Sequence, residues 1–365
     1  MSSVFGKNIK VSVFGQSHAP AVGVVVDGLP AGFTPDMEKL RALMKRRRPG
    51  QTILSTQRKE ADMFEIISGM TAGKLCGAPL CMMIKNSDTR SSDYQELMDK
   101  PRPGHSDYPA SVKFGGHQDA AGGGHFSGRL TAPLCLAGGI ALQLLEEAGV
   151  RVGAHVRSIK DIEDQPFDPL DPEFDELCDE YIRVLDRDAG KRMEEMIDQA
   201  RLAMDSVGGV VECAVTGLPV GVGGPMFEGV ENVIASAIFG IPAVRGIEFG
   251  AGFAATRMKG SQHNDAYAYE DGRVVTLSNR HGGVLGGLTT GMPLLFRVGI
   301  KPTASIFLPQ KTVDLTEKKD TTLSLKGRHD PCIVPRAVPV VEAVTALAVY
   351  DLYLDYLKEK RHGIK

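Results

Sequence analysis

Two pairs of matching segments recur along the chain in the same order. Val24 to Asp27, closed by GLPAG (28–32), matches Val211 to Thr216, closed by GLPVG (217–221), and each precedes a helical pattern. Further on, GAPLCMMIK (77–85) matches GMPLLFRVGIK (291–301); each is a turn feeding a strand that ends in lysine. Turn and strand repeating in one order imply that two halves, roughly 1–150 and 190–350, share a supersecondary plan related by pseudo-symmetry. Coincidence between short turn sequences is the alternative. With strands and helices interleaved in each half, the expectation is an α+β fold: two antiparallel-strand layers with helices between or beside them.

Within that plan, periodicity sets the elements. Residues 9–14 alternate as a half-buried strand does, and Val22 to Asp27 forms a second strand. Thr34-Pro35 reads as an N-cap followed by proline at the first helical position, with Met37, Leu40 and Met44 at helical spacing and a stop before Pro49-Gly50. Three arginines, Arg46 to Arg48, exceed what capping the helix dipole requires and suggest an anion site. The run after Thr131 is apolar almost all round and reads as a buried helix ending at Gly149. From 160 to 187 the chain is acidic and broken by Pro166, Pro169 and Pro172, the pattern of a surface excursion. Met193, Met196, Ala200, Met204 and Val207 stripe an amphipathic helix. Val341, Val344, Ala348 and Leu352 stripe a final one, from about Val338 to Lys360.

The segment KPRPGHSDYPASVKFGGHQDAAGGGHFSGRLT (100–131) has little apolar periodicity to bury. It carries Lys100, Arg102, Lys113 and Arg129, three histidines at 105, 117 and 125, and only Asp107 and Asp119 as carboxylates. Three consecutive glycines cost backbone entropy unless the chain turns sharply or lies close against something. Cations beside exposed amides suit an anionic, phosphate-bearing ligand; the plainer reading is a surface loop rich in turn residues. KPTAS (301–305) adds lysine, threonine and serine at a strand end, and GRHDP (327–331) sets Arg328, His329 and Asp330 side by side. Gly250-x-Gly252-x-x-Ala255 fits a dinucleotide fingerprint only formally, because Thr256 to Gly260 break the helix that motif requires.

Composition narrows the partners. A formal net charge of −3 with 24% charged residues argues against nucleic acid or a polybasic membrane contact, and 42% hydrophobic residues is a globular value. Six cysteines without a CxxC pair indicate neither a zinc knuckle nor a disulfide scaffold. The opening MSSVFGKNIKVSVFG lacks the h-region of a signal peptide, so the expected compartment is the cytoplasm.

With these pieces assembled, the chain resembles the chorismate synthase family. The resemblance is carried by GQSHAPAVGVVVDGLPAG (15–32), RRRPGQ (46–51), RPGHSDY (102–108), GGGHFSGRLTA (122–132), GSQ (260–262), HGGVLGG (281–287), KPTAS (301–305) and GRHDPCIVPRAVPVVEA (327–343). It implies a single domain with a β-α-β sandwich fold and a homotetramer. The implied reaction is the conversion of 5-enolpyruvylshikimate 3-phosphate to chorismate and phosphate, with reduced FMN required despite no net redox change. NADPH has a place only as reductant of the flavin.

Matched motif by motif, the resemblance assigns His18 as an acid toward the departing phosphate, His105 as the histidine near the reduced flavin, and Asp330 as the carboxylate aiding proton removal. Arg47, Arg48, Arg129 and Arg336 fall at substrate-anion positions. Arg328 contacts flavin and neighbouring substrate, and His125, Phe126, Ser127, Ala243, Gly286, Lys301, Pro302, Thr303, Ala304 and Ser305 match flavin-binding positions. Departures from the family pattern are Gln16 and Ala19 in the first motif, Ile53, Pro242, and His125, Phe126 and Leu130 in the glycine segment.

Overall fold

The computed structural model describes residues 3–55, 60–86, 97–178, 180–325 and 330–361. In the first half, β1 (Val4–Phe5), β2 (Lys10–Gly15) and β3 (Ala21–Asp27) precede α1 (Met37–Arg47). Then follow β4 (Phe64–Ser68), the hairpin β5 (Met70–Thr71) and β6 (Lys74–Leu75), β7 (Leu80–Lys85), α2 (Asp107–Phe114) and α3 (Thr131–Glu147). The second half runs β8 (Arg151–Ile159), β9 (Ile162–Glu163), α4 (Arg187–Leu202), β10 (Gly209–Thr216), α5 (Val230–Ile238), β11 (Val244–Phe249) and the short α6 (Gly260–His263). Hairpins β12 (Tyr267–Glu270)–β13 (Arg273–Thr276) and β14 (Val284–Leu285)–β15 (Leu288–Thr289) lead to β16 (Leu294–Ile300). A last hairpin, β17 (Gln310–Asp314)–β18 (Lys319–Leu323), precedes α7 (Val334–Arg361).

The two five-stranded sheets share one order in four strands and differ at one edge, where β1 precedes β2 but β9 follows β8. One runs β1-β2-β3-β7-β4 and the other, read from its far edge, β9-β8-β10-β16-β11, with every neighbour antiparallel. The repeated turns therefore mark equivalent strands: β3 pairs with β7 as β10 pairs with β16. Helices correspond as well, α1 with α5 and α3 with α7. A further match lies just beyond α1 and α5: Arg48-Pro49-Gly50 and Ile241-Pro242-Ala243 take one turn, with φ +74° at both Gly50 and Ala243. Fold and pseudo-two-fold are those of an α+β sandwich.

Helices α3 and α7 cross at the centre. A Cβ on Gly138 would lie 2.3 Å from the Ala343 carbonyl oxygen, so glycine is required for that approach. By length and composition both helices could cross a membrane, but 83% and 89% of their most apolar windows is buried, as a helical layer between two sheets demands. Helix α7 begins at Val334, four residues before the expected start, because Pro335 is tolerated in a first turn and Pro339 is accommodated inside the helix. The α1 cap is Asp36, not Thr34: its Oδ1 accepts from the Glu38 and Lys39 amides at 2.8 and 3.1 Å.

The 160–187 stretch is irregular but carries its own buried side chains, Phe167, Phe174, Leu177, Ile182 and Val184. It is pinned to the second sheet through His155, whose Nδ1 donates to Asp164 at 2.9 Å and whose Nε2 donates to Glu212 at 3.1 Å. Burial opposes a charged imidazole, yet the two carboxylates outweigh it and raise the His155 pKa.

Candidate active site

At the pseudo-two-fold, equivalent pieces of both halves wall one cavity of about 410 Å³, a size suited to small-molecule ligands. The α1 end supplies Arg47 and Pro49, and the α5 end supplies Ile241, Pro242 and Ala243. The α3 entrance supplies Arg129 and Thr131; the α7 entrance supplies Asp330 and Arg336. Lys301, Thr303, Ala304 and Ser305 follow the end of β16, and Arg102, Gly104 and His105 come from the segment before α2. Five cations (Arg47, Arg102, Arg129, Lys301, Arg336) face two lining carboxylates, Glu60 and Asp330.

One wall is a buried guanidinium–carboxylate cluster around Asp62. Arg47 Nη1 donates to Asp62 Oδ2 at 2.8 Å, Arg129 Nη1 donates to Asp62 Oδ1, and Arg129 also pairs with Glu60 at 3.0 Å. Arg47 is fixed further by Nε to Thr131 Oγ1 and Nη2 to the Gly128 carbonyl, both at 3.0 Å; Arg129 Nε donates to Asn86 Oδ1 at 3.0 Å. Burial alone would raise the Asp62 pKa, but the charges of Arg47 and Arg129 hold it below the usual carboxylate range. Arg129 Nη2 is buried without a hydrogen-bond partner among the described residues. A buried guanidinium donor left unpaired is costly, a cost that the ion pairs of the same side chain offset.

The opposite wall positions His105. Asp107 accepts from Arg102 Nε at 2.7 Å, from the Arg102 amide at 3.0 Å and from Arg102 Nη2 at 2.8 Å. Burial disfavours its charge, yet the bonds from Arg102 and His105 hold its carboxyl well below the ordinary range. An ionised carboxylate only accepts, so the 2.6 Å contact makes His105 Nδ1 the protonated nitrogen. Nε2 is then turned to Gly123, where a Cβ would approach it within 3.2 Å. Arg102 Nη1 also donates to Ser305 Oγ at 3.1 Å, tying this motif to KPTAS across the two halves.

Gly122, Gly123 and Gly124 all adopt left-handed backbone, with φ of 60°, 81° and 52°. Any Cβ on Gly122 would lie 2.7 Å from the His18 ring and from Ser17 Oγ, so the run lets His18 pack against the cavity wall. Lys301 Nζ donates to the carbonyls of Gly104 (3.1 Å) and Pro302 (3.4 Å), and burial, then Arg245, lower its pKa. Arg336 Nη1 donates to Asp330 Oδ2 at 2.6 Å, and Arg336 Nε donates to the Arg47 carbonyl at 3.1 Å.

Of the residues singled out in the sequence, the cavity thus gathers His105, Arg47, Arg129, Arg336, Asp330, Phe126, Ser127, Ala243, Lys301, Thr303, Ala304 and Ser305, with His18 behind Gly122. Four others are not among its lining. Arg48 is the C-cap of α1, and Pro302 is flanked by lining residues. Gly286 sits in the β14–β15 turn. His125 turns outward, its Nδ1 2.7 Å from the Gly15 carbonyl and its Nε2 2.7 Å from Ser3 Oγ. Arg328 lies outside the described residues. Asp62, Glu60 and Asn86 were missed. Asp107 was visible only as one of two acids in a basic segment.

A family model for chorismate synthase matches residues 9–354. The chorismate synthase of Thermococcus kodakarensis is 48% identical over 346 residues, covering 95% of this chain and 96% of the relative. The chain belongs to the chorismate synthase family. The relative from Lancefieldella parvula, 43% identical over 374 residues, covers 99% of this chain and 98% of its own. A solved chorismate synthase crystal structure has the same fold, with a TM-score of 0.75 at 24% identity over 96% of this chain and 93% of that one. Chorismate synthases are carbon–oxygen lyases acting on a phosphate, and this chain is an enzyme of that class.

Proposed function

We propose that the cavity on the pseudo-two-fold converts 5-enolpyruvylshikimate 3-phosphate to chorismate and phosphate by 1,4-elimination, the last step of the shikimate pathway and a source of aromatic amino acids. The observation that carries this reading is the charge of the cavity lining, five cations (Arg47, Arg102, Arg129, Lys301 and Arg336) against the carboxylates of Glu60 and Asp330. Substrate and reduced flavin together bring two carboxylates and two phosphates, and each charge-assisted bond to them is worth about 1.5–3 kcal/mol.

The residues present fit reduced FMN: a glycine cradle that a Cβ would fill, an aromatic ring at Phe126, and Lys301, whose amine bonds only carbonyl oxygens among the described residues. Phe126, Ser127, Ala243 and Lys301 to Ser305 are the groups to hold it, with His125, Gly286 and Arg328 carried over from the family alone. When bound, reduced FMN supplies electron density that the elimination borrows and returns, which is why no net redox change results. Arg47, Arg129 and Arg336 bind the substrate anions. His18 delivers a proton to the departing phosphate, and His105, with Nδ1–H donated to Asp107, sets its Nε2 beside Gly123 in the glycine cradle. Asp330 assists removal of the ring proton. The low-dielectric wall strengthens each of these charges and keeps water out.

NADPH enters only as a reductant of the flavin, and the family likeness carries with it a cytoplasmic homotetramer. The test is anaerobic phosphate release with dithionite-reduced FMN, wild type against His105→Ala. Turnover that requires reduced FMN and falls by about 10²–10⁴-fold in the variant supports the reading. FMN binding with no turnover would replace it with a homologue that has lost or changed the activity.

A further inference from the structure

Asn86 follows the end of β7 and has no part in the reaction proposed above. Strand register puts it there: Ala21 pairs with Lys85 across β3 and β7, so the next residue falls beside the turn that joins β2 to β3. The Asn86 amide donates to the Pro20 carbonyl in that turn at 3.0 Å. Its carboxamide reaches two groups at once. Nδ2 donates to the Gln16 carbonyl at 3.1 Å and to the Ala19 carbonyl at 2.7 Å, while Oδ1 accepts from Arg129 Nε at 3.0 Å. Carbonyls only accept and a guanidinium only donates, so these partners fix which end of the carboxamide is oxygen.

The two carbonyls belong to the turn that carries His18. Ala19 N–H closes that turn on the Gln16 carbonyl at 3.2 Å, and Ser17 N–H donates to the Gly124 carbonyl at 3.1 Å. The His18 ring packs at Gly122, a residue of the cavity lining, where a Cβ would lie 2.7 Å from His18 Nε2. On the other side of Asn86, Arg129 lines the same cavity, its Nη1 committed to Asp62 and Glu60. One half-buried side chain thus joins a turn 70 residues before it to a guanidinium 43 residues after it.

We infer that Asn86 is a positioning residue that fixes the spacing between the His18 turn and the Arg129 guanidinium, and so between the proton donor and a cation that binds the substrate. Its donor half acts on His18 and its acceptor half on Arg129. This rests on the roles proposed above for those two residues. Transfer between bound groups needs reacting atoms about 3–3.5 Å apart, and a misplacement of about 1 Å costs up to about 10²-fold in rate. Three hydrogen bonds to one short side chain hold both groups to a common reference.

Asn86→Ala removes both halves. In anaerobic phosphate release with reduced FMN its kcat should fall about 10- to 100-fold, with urea unfolding to verify that the variant is folded. In a His18→Ala background the same change should lower kcat by no more than about threefold, because it acts through His18. Asn86→Asp keeps an acceptor for Arg129 and loses both donors, so it should share the fall in kcat, and it replaces Asn86→Ala if that variant does not fold. A kcat within about twofold of the wild type, or an equal loss with and without His18, overturns the inference while leaving the proposed reaction intact. Should the wild type itself not turn over, the proposed reaction falls, and calorimetric binding of inorganic phosphate still tests the Arg129 half. Affinity about tenfold weaker in Asn86→Ala, with no further loss in an Arg129→Gln background, supports it. Affinity equal to the wild type, or an equal loss in both backgrounds, overturns it.

Discussion

Asp62→Asn tests the arginine wall with almost no change of shape. Asp62 has φ +51°, a left-handed conformation that asparagine also tolerates, so the substitution reports charge and not backbone. Two buried guanidiniums lose their shared carboxylate; Arg129 keeps Glu60 at 3.0 Å, and Arg47 keeps Thr131 and the Gly128 carbonyl. Breaking a buried pair costs about 3–5 kcal/mol, and the remaining partners put the expected loss at the lower end, about 3 kcal/mol. With a urea m-value of about 3 kcal/mol/M, the midpoint should fall by about 1 M. Far-UV circular dichroism reads it. Inorganic phosphate should restore part of the loss, because an anion bound by the uncovered arginines stabilises only the folded chain. The Asp62 pKa is lowered in the fold, so its contribution is present above about pH 4 and lost as pH falls through the folded value. A loss under about 1 kcal/mol at neutral pH, with no effect of phosphate, would refute the wall as an anion site held by Asp62.

Three further outcomes follow from particular contacts. Gly122→Ala should cut activity by about tenfold or more by displacing His18, since its Cβ would meet that ring at 2.7 Å; phosphate release measures it. Ala243→Gly should stabilise the fold by about 0.5–1 kcal/mol in urea unfolding, because Ala243 holds φ +74° where its counterpart is Gly50. The His155 pKa is raised, so its clasp stabilises fully below about pH 6.5 and weakens as pH rises through the folded value. The wild type should therefore exceed His155→Gln in urea midpoint by more at pH 6 than at pH 9 to 10.

Much of the architecture was legible because it rests on local periodicity. The repeated GLPAG and GLPVG turns mark β3 and β10, which occupy equivalent places in two sheets that share the order of four strands. Less legible were contacts made only on folding. Asp62 is one acid in a short polar segment, and nothing local says that Arg47 and Arg129 will close on it from 15 and 67 residues away. The 160–187 stretch read as surface because its acids and prolines dominate the pattern. Phe167, Phe174 and Ile182, spaced irregularly, were the signal that it packs. His125 reads in the sequence as part of a binding segment, and only the fold reveals that its ring bonds Gly15 and Ser3.

The most direct measurement is a crystal structure with 5-enolpyruvylshikimate 3-phosphate and oxidised FMN. The account predicts both ligands in the cavity between the halves, with a phosphate or carboxylate oxygen within about 2.7–2.9 Å of a lining arginine or lysine nitrogen. Ligands bound elsewhere, or ligand anions out of hydrogen-bond reach of every lining cation, would contradict it.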